Sequence, residues 1–329
     1  MTPNVTEDRQ PTFINSYLLD RHGGGTTIDE RGIATWQRGD GLLWLHLDVL
    51  NPAAQAWITD QSGLDPLVAE ALLAGETRPR SIPEKDGLLI ILRGVNMNPG
   101  SDPEDMVSVR VWIDADRVIT TRRRRVFSIQ DVRAAIDQGR GPKSSGEFLG
   151  MLVERLAIRI GALVDSVEEQ IEAIEDRVAS ADFTGLQSDI AVLRRETAAL
   201  RRYLAPQRDA LTRVRGRTEV LSVEEVYELE EQNDFVTRYL EDLELARERA
   251  LVSQEELTNR LAQDQNSRLY VLSIVAAVFL PLSFVTGLLG MNVAGLPGTR
   301  SPNAFLISLL IMVALGIGLI AFFRWKKWI

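Results

Sequence analysis

Apolar and polar residues form three successive patterns along the chain. Up to residue 143, short apolar runs bounded by Gly, Asp or Pro are typical of strands, and they predict a mixed α/β domain over residues 1–143. Asp65 and Pro66 predict the N-cap and the first residue of a helix between strands. The predicted strands are Phe13–Leu18, Leu42–Asp48, Leu88–Val95, Val107–Ile113 and Arg117–Thr121.

From Ser144 onward the apolar positions recur at steps of three and four residues, which is typical of amphipathic helices. We predict antiparallel helices over residues 144–218, interrupted at residues 182–185. The leucine stripes of these helices indicate packing of helix against helix. Capping-box pairs open the successive helices at Ser144 with Glu147, Thr184 with Gln187 and Ser222 with Glu225.

The third helix is unusually long, because the 69 residues from Ser222 to Gly290 contain no stop signal before Pro281. One continuous helix of this length extends about 100 Å. Its first part, residues 219–268, is predicted to be a stalk that runs into a membrane span without a linker. Pro281 is acceptable inside such a span, since neighbouring helices can satisfy the carbonyl group that it frees.

Two charge-free stretches close the chain. The first comprises 31 residues, 269–299, and the second comprises 23 residues, 301–323, with only Arg300 between them. Because about 20 apolar residues cross a bilayer as a helix, we predict a two-span hairpin. Its parts are a first span at 269–290, an outer loop at 291–302 and a second span at 303–323.

The last segment, residues 324–329, is basic and aromatic. By the positive-inside rule this tail is cytoplasmic, and a hairpin then places the large N-terminal domain on the same side. We therefore expect a multi-pass protein of the bacterial cytoplasmic membrane, with lipid around its hairpin and both termini in the cytoplasm. The N-terminus carries no apolar run of the kind found in signal peptides.

Composition and charge exclude several classes of protein. The net charge is −9, and residues 219–268 alone hold 14 acidic and 5 basic side chains. Acidic residues are therefore concentrated just before the membrane. Nucleic acid is not expected as a partner of such a chain. The absence of cysteine excludes disulfides and thiolate metal sites. His22 and His46 cannot build a tetrahedral zinc site alone.

Enzyme motifs are missing as well. The run from His22 to Gly25 resembles an oxyanion-hole sequence, but no G-x-S-x-G elbow accompanies it, so we interpret it as a turn. We predict neither catalysis nor a bound cofactor. The basic run Arg122–Arg125 ends a strand and has two readings: contact with anionic lipid or a partner, or a solvated or salt-bridged edge.

The outer end of the first span combines small residues with an amide. Gly287 and Gly290 allow helices to approach closely. Asn292 offers a carboxamide oxygen where the helix opens to solvent, which suits a divalent cation that keeps its water shell.

This end of the span also carries a family resemblance. The triplet Gly290-Met291-Asn292 lies at the end of the first of two C-terminal spans, and a basic tail follows the second span. This arrangement resembles the CorA superfamily of divalent-cation transport proteins. Phe279–Asn292 is similar to the pore helix of that family. The VAGLPG continuation, Trp44–Asp48, the LRGVN segment around Arg93 and the ITTRRR segment are similar to its ZntB branch, which is associated with zinc. The resemblance implies a cytoplasmic α/β domain, a funnel of long helices and a homopentamer whose first spans line a pore.

A pore also requires several copies on physical grounds, because one hairpin cannot surround an ion and a bare ion in hydrocarbon is very costly. Asn292 is expected to form the outer ring, Leu280 and Leu269 apolar constrictions, and Asn266 and Ser273 polar rings. Each leucine has packing against lipid or helix as its alternative. Helical spacing back from Asn292 gives the lining positions Gly287, Ser283 or Phe284, Leu280, Ala276 or Ser273, Leu269 and Asn266.

The expected function is transport of divalent cations, with zinc as the cargo. Transport of magnesium, cobalt or nickel is the alternative within the family, since oxygen ligands around a hydrated ion do not select zinc. A membrane-anchored scaffold or sensor is the alternative of another class. Glu255 and Glu256 either concentrate cations near the pore or form a solvated helix surface. Cytoplasmic metal ligands, direction and proton coupling stay open.

Overall fold

The computed structural model of the protein describes residues 11–75, 77–214, 220–291 and 301–327. The chain forms two compact units, Met1–Gln254 and Glu255–Ile329.

The first unit contains a mixed seven-stranded sheet in the order β2-β1-β3-β7-β6-β5-β4, in which β3 and β7 pair in parallel. The strands are β1 (Asn15–Leu19), β2 (Gly25–Thr27), β3 (Leu42–Asp48), β4 (Arg80–Glu84), β5 (Gly87–Gly94), β6 (Val107–Ile113) and β7 (Arg117–Arg122). The helices are α1 (Glu30–Thr35), α2 (Pro52–Asp60), α3 (Pro66–Leu73), α4 (Phe127–Asp137), α5 (Ser145–Ala179), α6 (Leu186–Thr212) and α7 (Val223–Leu289), which continues into the second unit.

Strand β3 is buried on both faces, as is usual for a strand with a parallel neighbour inside a sheet. Alternation directs Leu45 to the core that also contains Ile58 of α2 and Leu72 of α3. Trp44 points to the opposite face, where its ring lies 5.1 Å from that of Phe148 at the start of α5. Helices therefore cover both faces of the sheet.

Two of the three predicted capping boxes are confirmed. At α5, the N–H of Glu147 donates to the Ser144 hydroxyl over 2.9 Å. At α7, the N–H of Glu225 donates to the Ser222 hydroxyl over 3.2 Å, and the N–H of Ser222 donates to the Glu225 carboxylate over 2.7 Å. Each pair satisfies backbone groups that a helix end leaves open.

The predicted Thr184 cap is wrong. Helix α6 begins after Gly185, which has φ of 70° and provides no side-chain cap. The chain reverses between α5 and α6 through two left-handed residues, Ala181 and Gly185. Thr184 consequently lies inside this turn, and Gly185 takes the N-cap position because a glycine adopts positive φ without strain.

The predicted strands are observed, with ends that shift by up to two residues. The largest shift is at the first strand, which begins at Asn15, because Phe13 instead packs edge-on against Trp57 with ring centroids 5.1 Å apart. Asp65 caps α3 by accepting from the N–H of Leu67 over 2.8 Å, as predicted.

The second unit holds the end of α7 and α8 (Ala304–Trp325). The predicted single helix is confirmed, since α7 runs for 67 residues and passes through Pro281 without interruption. Helix α8 has 22 residues, a length of about 33 Å that matches the hydrocarbon core of a bilayer. Both helices are long and apolar enough to cross a membrane.

Candidate functional site

The two apolar helices of the second unit each have one half-buried face, and these faces form a seam. A Cβ on Gly316 would lie 3.9 Å from Cδ1 of Leu282, which places the two faces in contact. In the apolar part of α7, from Leu269 onward, the half-buried residues are Ile274, Ala277, Val278, Pro281, Leu282 and Val285. On α8 the residues with reduced exposure are Ala304, Ser308, Met312, Leu315, Gly316, Leu319 and Phe323.

The predicted lining positions occupy another face of α7. Each residue of an α-helix is rotated by about 100° around the helix axis from the one before it. By this rotation, the mean direction of the lining positions is about 140° from the mean direction of the seam residues. Leu280 is 68% exposed and Leu269 is 52% exposed, whereas Leu282 belongs to the seam. The described chain leaves this stripe uncovered: Asn266, Leu269, Ser273, Ala276, Leu280, Ser283, Phe284 and Gly287 are all exposed.

Hydroxyl groups on α7 donate within their own helix. Ser273 donates to the carbonyl of Leu269 over 2.8 Å, and Thr286 donates to that of Ser283 over 2.9 Å. A serine hydroxyl has one proton and two lone pairs. The Ser273 oxygen therefore faces its surroundings as an acceptor, which is the character that a hard divalent cation or its water shell requires.

Helix α7 ends near the triplet singled out in the sequence. The N–H of Gly290 still donates to the Thr286 carbonyl over 2.9 Å, and Met291 is 49% exposed. A Cβ on Gly287 would meet no described atom within 4 Å, which leaves room for another helix to approach. Asn292 and the loop through residue 300 lie outside the described residues.

The end of α8 carries a cluster of aromatic and basic side chains. The rings of Phe322 and Trp325 lie 6.4 Å apart, and the Lys326 ammonium lies 5.2 Å from the Trp325 ring. Such clusters favour the headgroup region of a membrane, because the rings are amphipathic and the cations attract anionic lipid. Trp328 lies outside the described residues.

Several carboxylates before the first span are paired along the helix. Glu256 lies 2.5 Å from Arg260, and Asp264 lies 2.8 Å from Arg268. Glu256 therefore forms part of an ion-paired helix surface, in line with the second of the two interpretations of Glu255 and Glu256. Glu255 is exposed. Within the described ranges, no three His, Asp or Glu side chains come together as metal ligands would.

The two histidines belong to the first unit. His46 on β3 is buried, and burial, followed by the charge of Arg122, lowers its pKa to about 3. Its Nδ1 atom lies 2.9 Å from the Thr120 hydroxyl. His22 is exposed in the turn after β1, with Nδ1 2.7 Å from the Asp20 carbonyl oxygen, and the predicted turn is confirmed. The burial of His46 was not predicted from the sequence, although its position between Leu45 and Leu47 in an apolar strand indicated it.

Comparison with known proteins adds independent information. The model of the family described as CorA-like Mg2+ transporter protein matches residues 39–327. The chain is 40% identical to the divalent cation transporter CmaX of Pseudomonas aeruginosa, over 95% of this chain and 94% of that protein. It is 33% identical to the zinc transport protein ZntB of Pectobacterium carotovorum, over 96% of both chains. The solved structure of full-length CmaX has a TM-score of 0.84 and 39% identity, covering 96% of this chain and 98% of the other.

Proposed function

The chain belongs to the CorA-like Mg2+ transporter protein family, whose members transport divalent cations and are not enzymes, and on this premise we propose that copies of the chain assemble around their first spans into a pore for such cations, with zinc as the main cargo. We propose a homopentamer, following the family resemblance. The ion passes with much of its water shell, and Gly290, Met291 and Asn292 surround the outer entrance.

The uncovered stripe of α7 is the observation that supports this proposal. In a lone hairpin the exposed Ser273 would face hydrocarbon, where the free lone pairs of its hydroxyl find no donor from water, while Asn266 stands just before the span. A ring of copies places the same side chains around a shared aqueous path. The alternating polar and apolar rings then provide ion contacts at Asn266 and Ser273, and constrictions at Leu269 and Leu280.

Zinc is proposed because relatives that align over nearly the whole chain are zinc transport proteins. The CmaX relative is described more broadly as a divalent cation transporter, and the family description names magnesium, so magnesium, cobalt and nickel form the second candidate set. The chain has no cysteine, and neither histidine lies in a span, so oxygen atoms are the available ligands. Discrimination then depends on hydration and on ring size rather than on soft ligands.

Flux into proteoliposomes tests both the cargo and the entrance. Zinc uptake by the wild-type protein is expected to exceed magnesium uptake under the same gradient. Asn292→Ala is expected to reduce uptake at least tenfold, because it removes the carboxamide ring. Asn303→Ala is the matched control, since it changes an asparagine at the start of α8 outside the triplet, and it should leave uptake unchanged. Magnesium uptake with zinc excluded overturns the zinc assignment.

The scaffold or sensor reading gives different results in the same experiment. It predicts no cation flux by the wild-type protein, or flux that Asn292→Ala does not change while the oligomer stays folded. Mass measurement in detergent provides the second arm, because a solitary hairpin cannot enclose an ion. A monomeric mass for active protein contradicts the proposed assembly.

We also propose that the protein lies in the inner membrane with both termini in the cytoplasm. The positive charges of Arg324, Lys326 and Lys327 at the end of α8 support this orientation. A protease site added after residue 329 tests it. Cleavage in inverted vesicles and protection in intact spheroplasts are expected, and the reverse pattern contradicts the orientation.

A further inference from the structure

A pocket of about 640 Å³ opens in the first unit, at the edge of the sheet where β5 and β7 end and β6 begins. Because β5, β7 and β3 run in the same direction, their carboxyl ends meet at this edge. Crevices outside the carboxyl ends of parallel strands are common ligand sites in α/β folds.

The lining of this pocket is strongly cationic. Asp105 is the one acidic residue in the described part of the lining. Among the described residues, the guanidinium groups of Arg78, Arg123, Arg124 and Arg202 have no carboxylate within ion-pair distance. The arginines of the lining are Arg78, Arg93, Arg123, Arg124 and Arg202.

Two backbone carbonyl groups and an aromatic ring hold Arg93 in place. Its guanidinium donates to the carbonyl oxygens of Met106 and Thr77, each over 2.6 Å, and its Cζ lies 4.5 Å from the centre of the Tyr203 ring. Carbonyl groups and an aromatic face hold a guanidinium without cancelling its charge. These contacts fix the orientation of the Arg93 guanidinium at the pocket.

A further arginine lies behind the lining. Arg110 on β6 is completely buried and donates to the carbonyl oxygens of Ala74 and Gly75, while its Nε and its other terminal nitrogen have no hydrogen-bond partner among the described residues. Burial first, and then the charges of Arg93 and Arg123, lower the pKa of Arg110 to about 10. Like charges crowded in this way are unfavourable until an anion compensates them.

Gly75 lets one of these arginines approach. A Cβ at this position would lie 2.7 Å from a terminal nitrogen of Arg123. The Arg123 guanidinium thus lies against the residue whose carbonyl oxygen accepts from Arg110. Arg123 belongs to the basic run Arg122–Arg125, for which the sequence left two alternatives: contact with anionic lipid or a partner, or a solvated or salt-bridged edge.

We propose that this pocket binds a small soluble anion with two or more linked phosphoryl groups, such as pyrophosphate or the polyphosphate part of a nucleotide. Planar guanidinium groups donate in pairs to phosphoryl oxygens, which makes arginine the preferred residue for such groups. Even without Arg93, the four other arginines of the lining exceed what one phosphodiester headgroup neutralises. Linked phosphoryl groups carry the two to four negative charges that this lining can compensate.

Calorimetric titration of the full-length protein in detergent, without divalent cations, tests the proposal. Pyrophosphate is expected to bind and ATP to compete with it, whereas sodium sulfate at the same ionic strength should not compete. The double variant Arg78→Gln and Arg123→Gln, at exposed positions of the lining, is expected to weaken pyrophosphate binding at least tenfold. Arg38→Gln, an exposed arginine outside the lining, is the matched control and should bind as the wild type does.

Three outcomes overturn the proposal. The first is pyrophosphate binding that the double variant leaves unchanged, which assigns it to another surface. The second is binding of dioctanoyl phosphatidylglycerol without binding of pyrophosphate, which identifies a lipid headgroup as the source of the phosphate. The third is a wild-type protein that binds no pyrophosphate.

Discussion

Leu282 and Gly316 are in contact between the two apolar helices, with Cδ1 of Leu282 3.9 Å from the point that a Cβ on Gly316 would occupy. This is an ordinary van der Waals distance, so the two helices lie against each other at this point. This contact determines which face of α7 is covered by the same chain. The predicted lining residues then remain on an uncovered face.

Gly316→Leu should destabilise the protein, because a Cβ at position 316 already lies at van der Waals distance from Leu282 and a leucine adds three more carbon atoms to the seam. Overpacking of this kind costs roughly 1–3 kcal/mol. Gly318→Leu is the matched control, since a Cβ on Gly318 meets no described atom within 4 Å. Thermal unfolding in detergent should show a lower midpoint for Gly316→Leu alone, and equal midpoints for the two variants would contradict the seam.

His46 should make stability depend on pH in mildly acidic solution. Its folded pKa of about 3 lies below the ordinary value of 6.5, so between these values the unfolded chain binds a proton that the folded chain does not. Stability therefore falls as the pH is lowered from 6.5, by roughly 1–2 kcal/mol at pH 5. Thr120 donates to the Leu45 carbonyl over 3.2 Å, so its oxygen accepts from the Nδ1–H of a neutral His46.

Unfolding midpoints at pH 6.5 and pH 5 test this role of His46. His46→Asn retains a side-chain N–H near Thr120 and cannot titrate, so it should lose most of the difference between the two pH values. His22→Asn, which changes the exposed histidine, should keep the wild-type difference. A difference that survives in His46→Asn would assign the effect to other groups.

Glu175 of α5 and Arg249 of α7 form a two-pronged ion pair, with distances of 2.8 and 2.6 Å. Hydrogen bonding to Arg249 lowers the pKa of Glu175, so the pair stabilises the protein above the ordinary glutamate pKa and loses its effect as the pH falls through the lowered value. Both groups are about a third exposed, which limits the contribution to about 1 kcal/mol or less. Glu175→Gln should lower the unfolding midpoint slightly at pH 7, and this difference should disappear as the pH falls through the lowered pKa of Glu175. Glu248→Gln, at an exposed position, is the control.

The long elements could be predicted from the sequence because their signals are local and repeated. Helix α7 was predicted to within one residue at each end, since its Ser222 cap, its apolar seam and its uncharged span all lie along one helix. Short elements such as α2 and β4 were missed, because a few residues give no measurable period. The predicted Thr184 cap was wrong because the residue before α6 has positive φ, which Gly185 adopts without strain. A Thr-x-x-Gln sequence also occurs by chance, so it does not fix the start of a helix.

The two candidate sites, the exposed stripe of α7 and the cationic pocket, also differ in how far the sequence predicts them. The uncovered stripe of α7 follows from helical spacing, so sequence alone predicted which positions share a face. The cationic pocket has no such local signal, since Arg78, Arg93, Arg123 and Arg202 come from different parts of the chain and meet only after the sheet has formed. Of that pocket, the sequence showed only the basic run Arg122–Arg125.

Adjacent alanines on α7 provide a sharp test of the water-facing stripe, because the chain has no cysteine of its own. Ala276 lies on the exposed stripe and Ala277 lies on the half-buried seam. In an assembled pore, Ala276→Cys should react with a charged, water-soluble thiol reagent, and the modification should block cation flux, since only thiols in contact with water ionise and react readily. Ala277→Cys should stay unmodified under the same treatment, with flux unchanged. Faster modification of Ala277→Cys than of Ala276→Cys would show that α7 turns its other face to the water, and would remove the basis for every lining residue proposed.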